Sequence, residues 1–339
     1  MYINKYFKQL NIEPIAEIDI REKCEFANRA AMVIVDKFYD LDYLKIVDII
    51  QHTQMYTAKI PNNLSPVNYS YLDGILYISE KLELDINNEF VLHEVIHRLQ
   101  EYRNKKNKLL QLGLCDILET SIKGLALNEA AVQYIVKKVL NGENEIVEVY
   151  GMKIPTISKN YYPILTNLIE QMIFAVGENI LVDSTLNSNN EFKYSAIDSM
   201  GESTYYEIQN NFDKIMDVKN QILKNENQTN VKENIDLIKR IYIETQHKIL
   251  TSYFNKELKA VKDIDQLKVF GDKLLKYRNL IGSDEGQALY DEYYKEMLNK
   301  IQEKEFSFQN RALIVVKENK IINVFKRIKN YIQKVIFQN

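Results

Sequence analysis

The sequence predicts a predominantly helical α+β chain, and three observations carry that expectation. All five prolines, the last of them Pro163, lie in the first half, so nothing beyond Leu165 forbids long helices. A stretch dense in Tyr, Ile and turn residues, "AKIPNNLSPVNYSYLDGILYISEKL", carries Asp73-Gly74 in the pattern of a hairpin turn. Around it, apolar residues recur at helical spacing. With 339 residues, 46% apolar and 27% charged, the chain can bury one large core or two medium ones. A net charge of −3 gives no general reason to bind nucleic acid.

Taken in order, residues Arg21 to Leu41 read as one helix, with Asp19 as its cap and Glu22 three residues on. Two or three short antiparallel strands follow, the last from Gly74 to Ser79. Asn87 or Asn88 caps the next helix, which runs through "FVLHEVIHRLQ" to about Lys105. Two more helices are expected, at about Lys108 to Lys123 and Leu125 to Leu140, then a hairpin around Gly151. From Tyr162 to Leu223 helices break at Gly177 and at "NSNNEF". The polar run Lys224 to Asn234 is the candidate boundary between residues 1–224 and a mainly helical region, 225–339, although one continuous domain fits equally. Ile235 to Lys304 reads as helical with breaks at Gly271 and Gly282. "ALIVVKENKIINVF" reads as a hairpin with Glu318-Asn319 at its tip, followed by a basic amphipathic helix. Docking of that helix on the hairpin is the simpler expectation, and contact with a membrane surface the alternative. No stretch is long and apolar enough to span a bilayer, no apolar leader is visible near Met1, and two cysteines suit a reducing compartment, so the expected location is cytoplasmic.

The chemistry concentrates in "HEVIH". Only four histidines occur, and His93 and His97 stand one helical turn apart, on one face, where two imidazoles can share a metal ion. Leu92, Val95, Ile96 and Leu99 form the apolar stripe of that helix, and the histidines flank it. Glu94 is rotated off the metal-facing side, so it can stand beside a water and take its proton. Catalytic zinc needs a third protein ligand, and Glu129, on the apolar stripe of "GLALNEAAVQYIVKKVL", is the candidate. A carboxylate on a buried stripe is costly unless paired or metal-bound; pairing with Arg98 or Lys123 is the structural alternative.

His93-Glu94-x-x-His97 on one helix and Asn128-Glu129-Ala130 on a later one resemble the gluzincin group of zinc metallopeptidases, of which thermolysin is the familiar member. The resemblance covers roughly Ile75 to Val139. It implies a zincin-like catalytic region with a small antiparallel sheet and a two-helix site: one Zn2+ held by His93, His97 and Glu129, Glu94 as general base, and a protein or peptide substrate. It also implies that the strand before the motif helix, with Gly74, Ile75, Leu76 and Tyr77, lies beside the substrate. The pattern departs from thermolysin-like proteins four residues after Glu129, where Gln133 stands in place of an Asp that contacts a ligand His. Gln133 and Asn128 are therefore the expected supports of the ligands. For an oxyanion donor the tyrosines Tyr134, Tyr205 and Tyr206 are candidates, with Tyr161 and Tyr162 beside them and His247 a weaker one. The alternative is a catalytically inactive binding or regulatory protein on the same scaffold.

Overall fold

The computed structural model describes residues 9–105, 108–118, 121–224 and 230–336, with backbone alone for 224 and 311–336. Predominantly helical α+β architecture is what it has: eleven helices and four small sheets among the described residues.

The first half is built around a four-stranded sheet. Strand β1 (Glu13–Glu17) leads to α1 (Ile20–Lys37), capped by the Asp19 carboxylate accepting from the Arg21 N–H at 2.8 Å. Helix α2 (Tyr43–Gln51) and strand β2 (Gln54–Lys59) follow, and β3 (Val67–Ser70) and β4 (Ile75–Ser79) form the hairpin turned at Asp73-Gly74. The sheet order is β1-β2-β4-β3, and β2 pairs with β4 in parallel, contrary to the all-antiparallel expectation. Strand β4 is thus paired on both sides. With no free backbone groups it cannot add a substrate strand, so the placement of Gly74, Ile75, Leu76 and Tyr77 beside a substrate is corrected: the sheet's edges are β1 and β3.

Asn88 caps α3 (Glu89–Leu99), its side-chain oxygen accepting from the Phe90 N–H at 2.9 Å. The helix stops at Leu99 and not at Lys105, because Glu101–Arg103 turns into strand β5 and pairs with β6 (Leu109–Leu112). The buried Glu101 carboxylate draws that turn inward, accepting from Arg103 and from the Tyr69 hydroxyl, each at 2.7 Å. The helix expected over Lys108 to Lys123 is replaced by β6 and a ladder of β7 (Asp116–Ile117) with β8 (Ile122–Lys123). Gly113, at φ 44°, breaks any helix there, and a Cβ at that position would lie 2.1 Å from Asn128 Oδ1.

Helix α4 (Leu125–Val139) joins the two cores. Val132, Ile135, Val136 and Val139 pack with α1, the sheet and α3, whereas Ala126, Leu127, Ala130 and Ala131 pack with the helical half. The hairpin of β9 (Glu145–Val149) and β10 (Met152–Thr156) forms as expected. Helices α5 (Pro163–Val176), α6 (Glu178–Leu186), α7 (Glu191–Met200) and α8 (Glu202–Lys224) follow, broken at Gly177 and in the polar run, and once more at Gly201. Residues 225–229 lie outside the described set, and one apolar cluster includes residues on both sides of them, from α5 and α8 to α9 (Val231–Ala260), α10 (Ile264–Tyr277) and α11 (Asp284–Ile336). Gly271 sits inside α10 and breaks nothing. The break near Gly282 is real. The hairpin expected at Glu318-Asn319 is helix: after Gly286 no glycine or proline interrupts α11, so the helix continues to Ile336. The amphipathic face expected on the last helix lies among side chains outside the described set. Among the described residues no helix is long and apolar enough to cross a membrane.

Candidate metal centre

Helix α3 presents its apolar stripe to the sheet. Val91, Leu92, Val95 and Ile96 are fully buried, and this rolls His93 and His97 under the surface at 6% and 3% exposure. Helix α4 brings Glu129 to them. Its N-terminus starts at Gly124 in a left-handed conformation (φ 78°), which supplies no capping side chain. Asp213 on α8 caps it instead, accepting from the Gly124 and Ala126 N–H groups at 2.8 and 3.0 Å.

The three side chains converge. Nε2 of His93 and Nε2 of His97 lie 3.0 Å apart, and each lies 3.3 Å from a carboxylate oxygen of Glu129. Ligand atoms bound tetrahedrally to a small divalent cation at about 2.1 Å stand roughly 3.3 Å from one another. The donor chemistry fits as well. Gln133 donates through Nε2 to Glu89 and Ser158 at 2.7 and 2.8 Å, so its oxygen must be the atom facing His93 Nδ1 at 3.0 Å. Nδ1 therefore carries the proton, and the Nε2 lone pair points at the carboxylate. On the other ring, Nδ1 meets the Tyr71 hydroxyl at 2.6 Å and the Gln100 amide at 2.7 Å. Gln100 Oε1 is buried with no partner, and half a turn of that amide sets the oxygen on His97 Nδ1, mirroring Gln133. The cluster then has acceptors facing acceptors, which a cation or an added proton must reconcile. Arg98, considered as a partner for Glu129, donates to Thr53 at 2.9 Å, and the ion pairs of Glu129 among the described residues are with the two histidines alone. His93, His97 and Glu129 form a buried group able to hold a metal ion.

In the metal-free chain the electrostatics show the same tension. Burial alone would lower the His93 pKa, but the hydrogen bond and charge of Glu129, with the charge of Glu94, leave it raised. Burial pushes the Glu129 carboxyl up, yet the charge of His97 and hydrogen bonds from both rings hold it well below the usual carboxylate range. Glu94 moves the other way: burial raises it, and the two histidines only partly pull it back. Its Oε2 accepts from the Tyr69 N–H on β3 at 2.8 Å. His93, Glu94, His97 and Glu129 open on a common cavity of about 590 Å3, walled by β3 on one side and by Tyr161, Tyr162 and Lys219 on another.

Of the tyrosines singled out in the sequence, the structure brings Tyr161 and Tyr162 to the cavity, the Tyr161 ring 5.9 Å from that of His93. Tyr134 lies elsewhere, donating to Glu178 at 2.7 Å. Tyr205 and Tyr206 pack edge to face on each other, beside Lys193, and neither lines the cavity. His247 is exposed on α9. Asn128 touches no ligand side chain; its oxygen accepts from the Leu114 N–H at 3.1 Å and so holds the turn at Gly113. Sequence reasoning missed Gln100 and Tyr71. Gln100 follows His97 by three residues, a spacing that puts it on the same helix face and was available as a signal. Tyr71 sits in a run with Tyr69 and Tyr77 close by and carries no such signal. Comparison of the chain with protein-family models, with curated proteins and with solved structures gave no match.

Proposed function

We propose that this chain is a zinc-dependent peptidase. The observation that carries the reading is the convergence of two imidazole nitrogens and one carboxylate at tetrahedral ligand spacing, with a fourth side, next to Glu94, open to a cavity. Two imidazoles and a carboxylate suit zinc, which supplies a Lewis acid for a peptide carbonyl and brings the pKa of a water to about 7. Glu94 then accepts a proton from the attacking water and returns it to the leaving amine. Its carboxyl, raised by burial, is suited to both steps. Tyr161, on the cavity wall with its ring 5.9 Å from that of His93, serves as donor to the developing oxyanion. An extended peptide lies along the outer edge of β3, on the side away from β4, where the Tyr69 N–H is already taken by Glu94.

Metal analysis of the purified protein should give close to one zinc per chain; less than about a tenth would make the reading untenable. Glu94→Gln should keep the zinc and lower hydrolysis of a peptide mixture by about 10²- to 10⁴-fold. Unchanged cleavage in that variant would remove Glu94 from the mechanism.

A further inference from the structure

The wall of this cavity holds a cation for which the described residues supply no counter-charge. Lys219, on α8, lines the cavity with its ammonium 4.4 Å above the ring of Tyr162. That ring is held in place by its own backbone: Tyr162 sits in the left-handed region (φ 50°) just before Pro163, the residue that opens α5. Val218, the preceding residue, is buried in the helical core and fixes the rotation of α8, which turns Lys219 toward the cavity. Among the described residues no carboxylate forms an ion pair with it. Burial lowers its pKa. The nearby polar groups on the wall, Asn160 and Asn220, are neutral amides able to donate. A half-buried ammonium in this setting gains most from an anion delivered into the cavity, because its aqueous shell is already partly lost.

We propose that Lys219 is a specificity-determining residue that binds a carboxylate of the substrate peptide, either an acidic side chain or the free C-terminus. The proposal rests on the peptidase reading for the identity of the ligand as a peptide. It does not rest on that reading for the anion site. Tyr162 supplies a flat apolar support for the methylene stem and the cation, and the amides of Asn160 and Asn220 add donors to a cavity that also holds the acceptor-rich candidate metal centre. The cavity is therefore polarised, and a peptide lying across it is read for charge at the Lys219 end.

The test uses binding, so that it does not depend on turnover. Short fluorescein-labelled peptides, alike except for Glu, Gln or Lys at one scanned position, and each made with a free or an amidated C-terminus, are titrated against purified Glu94→Gln protein by anisotropy. The expected result is that one acidic position, or the free C-terminus, binds roughly 10- to 100-fold more tightly than its neutral counterpart. That preference should weaken with added salt, persist in Glu94→Gln/Lys219→Arg and vanish in Glu94→Gln/Lys219→Met while zinc content stays constant. The scan and the amidated series tell side chain from terminus. Equal binding of acidic and neutral peptides, a preference untouched by Lys219→Met, or no binding up to millimolar peptide each overturns the proposal. Cleavage of the same peptides by the unaltered protein is measured separately. Acid-selective binding without cleavage would sink the peptidase reading and leave the anion site standing, and cleavage without charge preference would do the reverse.

Discussion

A cluster of buried polar side chains in the helical half and the cluster of His93, His97 and Glu129 are built on opposite principles. In the helical half, Asn167 donates to the carbonyls of Pro155 and Leu280 at 2.7 and 2.8 Å and accepts from Gln171 and the Tyr242 hydroxyl at 2.8 and 2.7 Å. Gln171 in turn accepts from Tyr277 at 3.0 Å and donates to Gln246, which exchanges hydrogen bonds with both backbone groups of Gly282. Every donor meets an acceptor. At the candidate metal centre three acceptors meet one another. Burial and polarity are alike in the two places, so neither distinguishes structure from function. The balance of donors and acceptors does: a matched cluster is complete within the chain, while an unmatched one requires something from outside.

The largest expected effect lies in the matched cluster. Asn167→Ala strands two carbonyls, an amide and a hydroxyl in a dry interior and should lower the free energy of unfolding by about 3–5 kcal/mol, read by chemical denaturation, with zinc per folded chain unchanged. The mirror substitution is Glu129→Gln. It removes a carboxylate that the two rings hold ionised but leaves an amide and rings that can stay neutral, so the metal-free protein should lose less stability than Asn167→Ala does, while zinc is lost. If the metal-free protein were instead destabilised as severely as Asn167→Ala, the cluster would be a structural ion pair and the contrast would fail.

A second prediction separates the cores by pH. Glu170, in the helical half, is buried, and that burial raises its pKa from 4.5 to about 7, against hydrogen bonds from the Ile157 N–H and the Thr156 hydroxyl and the charge of Lys138. The folded chain thus holds this proton where the unfolded chain releases it. Below pH 4.5 both states are protonated and nothing is lost; as pH rises from 4.5 to 7 stability declines, and above 7 the loss is complete, at most about 3 kcal/mol. Glu170→Gln should remove that decline and be more stable than the unaltered protein at pH 8. Parallel pH profiles for the two proteins would show that Glu170 titrates normally.

What the sequence made legible follows the range of the forces involved. The stripe Leu92, Val95, Ile96, Leu99 oriented α3, and the single carboxylate on the buried face of α4 identified Glu129, because helix periodicity is local and needs no partner to read. Strand pairing is not local. The segment 108–123 carries apolar residues at spacings that suit a helix, and its true conformation depends on pairing with β5 and on the close approach of Gly113 to Asn128. Likewise nothing in "GILYIS" tells that β2 pairs on its far side, so the sequence points to β4 as the strand beside a substrate, whereas the sheet's edges are β1 and β3. Residues 312–325 alternate enough to suggest a hairpin, yet without a glycine or proline to turn at, α11 runs through.

The smallest effect is the most specific to the comparison, because it concerns the one residue that belongs to both designs. Gln133 is a fully matched amide inside the unmatched site: its oxygen takes the His93 Nδ1 proton, and its nitrogen serves Glu89 and Ser158. A carboxylate here would face the carboxylate of Glu89, itself held by Lys137 at 2.7 Å, and would leave Ser158 to find another donor. Gln133→Leu frees the His93 ring to change tautomer and should weaken zinc binding about 10- to 100-fold, or roughly 1.4–2.7 kcal/mol, measured by competition with a chelator. Gln133→Glu should weaken it as well, by setting like charges together. Adding Glu89→Gln to that variant restores a donor against the new carboxylate and should return the affinity to the original value or above it. If the double variant were no better than Gln133→Glu, the amide's donors to Glu89 and Ser158 would not be what selects glutamine at this position.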